Sequence, residues 1–136
     1  MIRDIVKDTM FLCQPSSTAT SADLDVATDL VDTLVHHHEG CVGLAANMIG
    51  VAKRIIVVQC NGHPLVLFNP KIIKQSTPYS TEEGCLSLEG VRPTKRYRII
   101  KLEYQNEKFQ TRYKVFEDYT AQIIQHEIDH CNGILI

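Results

Sequence analysis

Apolar residues recur at helical spacing in two segments of the chain. The first follows a loop-rich stretch, QPSSTATSADLD, and runs from Leu24 toward Gly40. Thr20 followed by Asp23 forms a capping-box pattern at its start. The second segment, EDYTAQIIQHEIDHC, begins with acidic residues and is followed by an Asn-Gly pair, which is a typical helix stop. The pattern therefore predicts an N-terminal helix and a C-terminal helix.

The segments between these helices have the pattern of strands. RIIVVQC and PLVLFN are β-branched and apolar, and Asn61-Gly62 between them is a hairpin turn signal. RIIKLEYQ and FQTRYKVF alternate apolar and polar residues on either side of a turn near Asn106. A helix, two antiparallel hairpins and a second helix indicate an α+β fold rather than an alternating parallel α/β fold.

Length, charge and cysteine content limit the kind of protein and the kind of partner that are expected. A chain of 136 residues is expected to form one domain, residues 1–136. The net charge is −2 and no large Lys/Arg cluster is present, so neither direct nucleic-acid binding nor membrane binding is expected. The five cysteines form no CxxC pair and are odd in number, which argues against a secreted disulfide framework and favours a cytoplasmic protein.

The C-terminal helix carries an HExxH pattern. His126 and His130 are four residues apart and share one helical face, so both imidazoles can bind one metal ion. Glu127 is then placed to reach a water molecule at that ion. The alternative interpretation is a pair of surface histidines on an amphipathic helix.

A catalytic metal site of this kind needs a third protein ligand. Only six residues follow His130, and the Cys131 side chain points about 100° away around the helix axis. The third ligand is therefore expected upstream, among the other cysteines or the histidine run 36–38. Cys85 in EEGCLSLEG is favoured, because Gly84 permits an unusual backbone conformation and polar residues surround the thiol. A buried thiol with no ligand role is the alternative for Cys85.

Three stretches of the chain, in order, resemble the signature motifs of peptide deformylases. CVGLAANM (41–48), EGCLS (83–87) and QHEIDH (125–130) are similar to GxGLAAxQ, EGCLS and QHExDH of that family. The resemblance implies antiparallel strands packed around a central C-terminal helix that carries HExDH, with an N-terminal helix beside them. It also implies removal of the formyl group from the formyl-methionine of nascent polypeptides. Formyl-methionyl peptides are then the expected partners, and an encounter at the ribosome is compatible with this role.

The resemblance also implies roles for individual residues. Cys85, His126 and His130 would bind a divalent metal, with Fe²⁺ expected first and Zn²⁺ or Ni²⁺ able to replace it. Glu127 would act as the general base, and the backbone N–H of Leu86 would stabilise the oxyanion. Outside this set, Glu83 and Asp129 are expected to orient the ligands. The methionine side chain would be held by Val42, Gly43 and Ile123, each of which has an ordinary core role as its alternative.

The first motif departs from the family pattern at two positions. Cys41 stands at the usual first glycine and Met48 at the usual glutamine, whose amide would join the oxyanion hole. A thioether donates no hydrogen bond, and loss of one such donor lowers turnover by roughly two to three orders of magnitude. Asn47 is a candidate substitute donor if the loop shifts. For the Met48 sulfur, plain packing is favoured over metal ligation.

Three functions remain compatible with these residues. The leading hypothesis is a metal-dependent deformylase of reduced or unusual activity. In it the metal and the Leu86 N–H suffice for slow catalysis, because Met48 supplies no amide. The alternative is a catalytically impaired relative that binds formyl-methionine ends or metal. An HExxH peptidase unrelated to deformylases is disfavoured, because EGCLS is present and a downstream ligand is missing.

Overall fold

The protein consists of five strands and three α-helices. The computed structural model describes all of residues 1–136. Short 3₁₀ turns occur at Ser21–Asp23 and Ala46–Ile49. In chain order the elements are α1 (Thr9–Leu12), α2 (Leu24–His36), β1 (Gly43–Ala45), β2 (Ile55–Cys60), β3 (His63–Cys85), β4 (Leu88–Gln105), β5 (Thr111–Glu117) and α3 (Asp118–Cys131).

The five strands form one antiparallel sheet in the order β1-β2-β3-β4-β5. The predicted α+β class, with antiparallel strands and a C-terminal helix, is confirmed. The β2–β3 turn has the predicted form, because Asn61 and Gly62 both have positive φ (52° and 81°), as a type I′ hairpin turn requires. The second predicted turn also lies where expected, since β4 ends at Gln105 and β5 begins at Thr111.

The hairpin of β3 and β4 is much longer than the sequence predicts. Pairing continues from Phe68 opposite Gln105 to Cys85 opposite Leu88, with three register shifts along the way. Gly84 permits an unusual backbone conformation, but it does not have a positive φ. Gly84 instead allows close approach, since a Cβ there would lie 3.0 Å from the Gly90 carbonyl oxygen. This long hairpin brings Cys85 back toward the centre of the molecule.

The two longer helices both pack against strands of the sheet. The Thr20–Asp23 capping box forms as predicted, and α2 ends at His36, four residues before the predicted end. The α3 helix packs against β1, β2 and β4, and nine of its fourteen residues are buried, so it is the central helix. No helix here combines the length and the apolar character that crossing a bilayer would demand. Fully buried side chains in the core include Leu30, Leu34, Leu44, Ile56, Phe68, Ile100, Leu102 and Ile124.

Candidate functional site

Two separate elements bring a thiol and two imidazoles together. Cys85 ends β3, while His126 and His130 lie one turn apart on α3. The Sγ atom and one ring nitrogen from each histidine all lie within 4.8 Å of one another. The two Nε2 atoms are 3.0 Å apart. No other group of three His, Cys, Asp or Glu side chains in the protein has this arrangement.

This donor set fits a divalent metal ion. Two imidazole nitrogens bound at about 2.05 Å to a tetrahedral ion are about 3.3 Å apart, close to the observed Nε2–Nε2 distance. Three protein ligands leave one position open for water or substrate, which is the arrangement of catalytic rather than structural sites. Cys131 is buried outside this group, and the exposed His36 and the half-buried His37 lie at the end of α2.

A buried carboxylate orients the first imidazole. Glu83 Oε1 accepts a hydrogen bond from His126 Nδ1 at 2.8 Å, which directs the Nε2 atom of His126 toward His130. Arg96 forks onto both Glu83 oxygens, at 2.7 and 2.9 Å, and its other nitrogen contacts Asp129 at 2.6 Å. Burial opposes ionisation of Glu83, but hydrogen bonds from His126 and Arg96 outweigh it and lower the pKa of Glu83 to about 2. Glu83 is therefore a permanent anion near neutral pH.

The pKa values of the two imidazoles are shifted in opposite directions. Burial disfavours the His126 imidazolium, but the Cys85 and Glu83 side chains accept hydrogen bonds from it and raise its pKa. Burial and the nearby His126 charge lower the pKa of His130, so this ring is neutral and its nitrogen lone pair is available to a cation. A bound cation would displace the proton from His126, because metal ligation requires the neutral ring.

Glu127 has the environment expected of a general base. Its side chain is buried beside the histidine pair, and its Oε1 atom has no hydrogen-bond partner in the protein. Burial is the main cause that raises the pKa of Glu127, to about 7. A carboxylate with a pKa near the working pH can both accept and return a proton.

A cavity of about 280 Å³ opens beside Glu127. The three residues predicted to hold a methionine, Val42, Gly43 and Ile123, all line it, and so does Leu86. Tyr119 and Gln122 line the cavity as well, although neither lies in one of the three sequence motifs. Helical spacing was the available signal, because they precede His126 by seven and four residues and so share its face.

The two departures in the first motif have different surroundings. Cys41 lines the cavity, and its Sγ donates to the Gly43 carbonyl at 3.1 Å. Burial raises the pKa of the Cys41 thiol to about 11, so it stays protonated near neutral pH. Met48 is completely buried within the hydrophobic core and is not among the residues that line the cavity. Its location is therefore that of a packing residue.

Asn47 is engaged elsewhere. Its Nδ2 donates to the backbone carbonyl of His130 at 2.9 Å, and its side chain does not line the cavity. Asn47 would have to break this bond and rotate to reach an oxyanion in the cavity. In the observed geometry it fastens the 3₁₀ turn after β1 to the end of α3.

Comparison with known proteins gives one consistent family. A family model described as polypeptide deformylase matches residues 3–136. A peptide deformylase of Clostridium beijerinckii is 53% identical over 136 residues, which is 100% of both chains. A peptide deformylase of Desulforudis audaxviator is 44% identical over 114 residues, covering 81% of this chain and 72% of the relative.

Solved structures of the same name share the fold. A class I type b peptide deformylase from Acinetobacter baumannii, with Met-Ala-Ser bound, superposes with a TM-score of 0.89 at 26% identity. That match covers 99% of this chain and 97% of the other. Peptide deformylase from Thermotoga maritima gives a TM-score of 0.88 at 29% identity, over 99% and 95% of the two chains.

Proposed function

The chain belongs to the polypeptide deformylase family, and on that premise we propose that it hydrolyses the N-terminal formyl group of formyl-methionyl peptides to release formate. The observation that supports this most directly is Glu127, which is buried without a partner for Oε1 at the wall of the cavity. It lies next to the thiol and imidazole group formed by Cys85, His126 and His130. An HExxH peptidase unrelated to deformylases is excluded by the family match.

We propose Cys85, His126 and His130 as the ligands of a catalytic divalent metal. The family depends on a metal, and this donor set suits several ions, among which we propose Fe²⁺ first, with Zn²⁺ and Ni²⁺ as replacements. Such an ion would supply Lewis acidity for the formyl oxygen and lower the pKa of a water molecule. The carboxylate of Glu83 raises the basicity of the His126 ring and holds its orientation.

Glu127 is the proposed general base and acid. Its carboxylate lines the cavity and has one oxygen, Oε1, without a partner, so we assign it as the acceptor of the proton of the attacking water. The same carboxylate then returns a proton to the amine that leaves when the C–N bond of the formamide breaks. Its raised pKa, near 7, permits both steps at neutral pH.

The oxyanion is proposed to depend on one backbone donor. Leu86 follows Cys85 and lines the cavity, so its N–H is our candidate donor. Met48 has no donor and is buried in the core, and the amide of Asn47 is bonded to His130. The activity of this chain then rests on the metal and Leu86, without a side-chain amide.

The substrate side is also a proposal. Val42, Gly43 and Ile123 are proposed to hold the methionine side chain, because they line the cavity next to Glu127. We propose that residues 1–136 act as one domain in the cytoplasm, where formyl-methionyl chains emerge from the ribosome.

Formate release from a formyl-Met tripeptide, after anaerobic loading with Fe²⁺ or Ni²⁺, tests the activity. Glu127→Ala is expected to lower kcat by roughly 100-fold or more, because the proton acceptor is lost. Glu107→Ala, in the exposed turn between β4 and β5, is the matched control and keeps wild-type kcat. A metal-loaded protein that binds the formyl peptide but releases no formate would support the impaired binding protein instead.

Metal content tests the ligand assignment separately. Cys85→Ser is expected to lose stoichiometric metal in a titration followed by elemental analysis, because a neutral hydroxyl replaces a thiolate. Cys60→Ser is the control, since Cys60 is also a free, half-buried thiol but lies outside the three-ligand group. Equal metal content in both variants would contradict the assignment.

A further inference from the structure

Gln122 makes two hydrogen bonds that neither the motifs nor the proposed mechanism uses. It lies on α3 one turn before His126 and lines the cavity. Its Nε2 donates to Glu83 Oε2 at 3.0 Å, and its Oε1 accepts from the Tyr79 hydroxyl at 3.3 Å. Both polar ends of the amide are therefore satisfied on the side of Glu83, so the amide has one defined orientation.

From this geometry we propose that Gln122 is a positioning residue for His126, acting through Glu83. The inference rests on the proposed function, because it assigns a role toward the metal site formed by Cys85, His126 and His130. Gln122 contacts none of the proposed ligands by a hydrogen bond. Its effect reaches the site only through the carboxylate that holds the His126 ring.

The two oxygens of Glu83 have different tasks. Oε1 accepts from His126 Nδ1, and Oε2 accepts from Gln122 Nε2, while Arg96 bonds both. Arg96 neutralises the charge and bonds both oxygens, so it already restrains the carboxylate. By itself the terminal torsion of a glutamate has a broad energy profile. The bond from Gln122 to Oε2 adds a further restraint on this torsion and helps to keep Oε1 on the line of the Nδ1–H of His126.

Gln122 also protects this contact from the cavity. Glu83 and Gln122 both line the cavity, so Oε2 would face water or substrate if the amide were absent. Water at Oε2 would screen the carboxylate and loosen its bond to His126. The Tyr79 hydroxyl fixes the amide so that its N–H, rather than its carbonyl, faces Glu83. A carbonyl there would repel the carboxylate.

The test compares Gln122→Leu with Gln125→Leu in the full chain. Gln122→Leu keeps the volume and removes both bonds. Gln125 lies on the same helix as Gln122, and Gln125→Leu removes its two bonds to the backbone of Tyr97 while leaving Glu83 untouched. Co²⁺ affinity is measured by competition with a chelator. The d–d absorption spectrum is recorded for each Co²⁺-loaded protein, and the thermal midpoint of unfolding for each apoprotein. Gln122→Leu is expected to weaken Co²⁺ binding by roughly 3- to 10-fold, less than the roughly 10- to 100-fold typical of residues that bond a metal ligand directly, because Gln122 acts through Glu83.

The control variant separates positioning from stability. Gln125→Leu is expected to lower the thermal midpoint by more than Gln122→Leu while its Co²⁺ affinity stays within about twofold of wild type. Tyr79→Phe removes only the outer bond and is expected to give a smaller loss of Co²⁺ affinity than Gln122→Leu. In the Ni²⁺ enzyme, Gln122→Leu should lower kcat with little change in KM. A role limited to lining the cavity would change KM instead and overturn the inference.

Two further results would contradict the inference. Wild-type Co²⁺ affinity and spectrum in both Gln122→Leu and Tyr79→Phe would show that Glu83 needs no help from Gln122. Equal losses in Gln122→Leu and Gln125→Leu would show a general effect of helix stability. A wild-type protein that bound no Co²⁺ would overturn the proposed metal site itself, which is a separate failure.

Discussion

The backbone of Gly43 lies against the carboxylate of Glu127. A Cβ atom on residue 43 would sit 2.9 Å from Glu127 Oε2 and 2.7 Å from a methyl carbon of Ile123. Real Cβ atoms do not approach neighbours this closely, so any side chain at this position would displace one of them. The glycine of the first motif is therefore required by the position of the proposed base, in addition to any contact with substrate.

Replacement of Gly43 by alanine is expected to impair catalysis more than folding. The added methyl group would push Glu127 or Ile123 aside, and a misplacement of about 1 Å at a reacting group can cost roughly 100-fold in rate. Steady-state kcat on a formyl-Met peptide measures the effect. Gly40→Ala is the control, because a Cβ there meets nothing within 4 Å. Wild-type kcat in Gly43→Ala would contradict the proposed position of the base.

Arg96 is expected to be irreplaceable by lysine. Its fork bonds both oxygens of Glu83 and also reaches Asp129, which a single ammonium group cannot reproduce. Arg96→Lys should lower metal affinity by roughly 10-fold or more and also lower the free energy of unfolding. Arg98→Lys is the matched control, since Arg98 pairs with Asp118 at the exposed surface and such pairs contribute little. Equal effects of the two substitutions in a metal titration would contradict this role.

Met48→Gln is expected to destabilise the protein without raising its activity. Met48 is completely buried away from the cavity, so a glutamine amide there would lose its hydration, which costs about 1–3 kcal/mol if it finds no partner. Met48→Leu conserves the apolar character and should cost less than about 1.5 kcal/mol. Urea unfolding and formate release measured together check the prediction. A rise in kcat for Met48→Gln would show that residue 48 reaches the oxyanion after all.

Asp29 is expected to stabilise the fold in a pH-dependent way. Hydrogen bonds from the Met1 ammonium and from Arg3 lower the pKa of Asp29 and outweigh the opposing effect of burial. A carboxyl whose folded pKa is lowered stabilises the protein fully above its unfolded pKa, about 3.9, and loses this effect as the pH falls through the folded value. Asp29→Asn should therefore lower the free energy of unfolding by about 1 kcal/mol at pH 7.

The difference between Asp29→Asn and wild type should then shrink as the pH falls below about 4. Urea titrations at several pH values test this. Asp25→Asn, an exposed change on the same helix, is the control and should stay within about 0.5 kcal/mol of wild type. A difference for Asp29→Asn that stayed constant down to low pH would contradict the ion-pair explanation.

Local patterns predicted the two longer helices and both hairpin turns, but not the short helix α1. The capping box at Thr20 and the turn at Asn61-Gly62 formed as expected, because both depend on interactions between near neighbours in the chain. The length of β3 was not predictable in this way. Its outer part, KQSTPYSTE (74–82), is exposed or half-buried, is polar, contains a proline and has no alternation, so it pairs only because β4 lies beside it.

The residues of the candidate site also differ in how far the sequence could predict them. His126, Glu127 and His130 share one helix, so their spacing alone predicted that they act together. Cys85 was singled out by elimination and by resemblance, and its approach to the histidines depends on the long hairpin. Glu83 and Asp129 were expected to orient ligands, and Glu83 does bond His126, whereas Asp129 contacts Arg96. No sequence signal paired Arg96 with Glu83, or Gln122 with Tyr79.

The sequence by itself determined which residues are candidates for the metal ligands and the general base, where the two longer helices lie, and which family the chain resembles. Those properties depend on short-range spacing and on motif identity. Only the tertiary structure decided that Met48 belongs to the core, that Asn47 bonds His130, and that Gln122 contacts Glu83. Which face of a 3₁₀ turn is buried, and which side chains meet across 39 residues of chain, depend on packing between distant segments. Local pattern carries no information about such contacts.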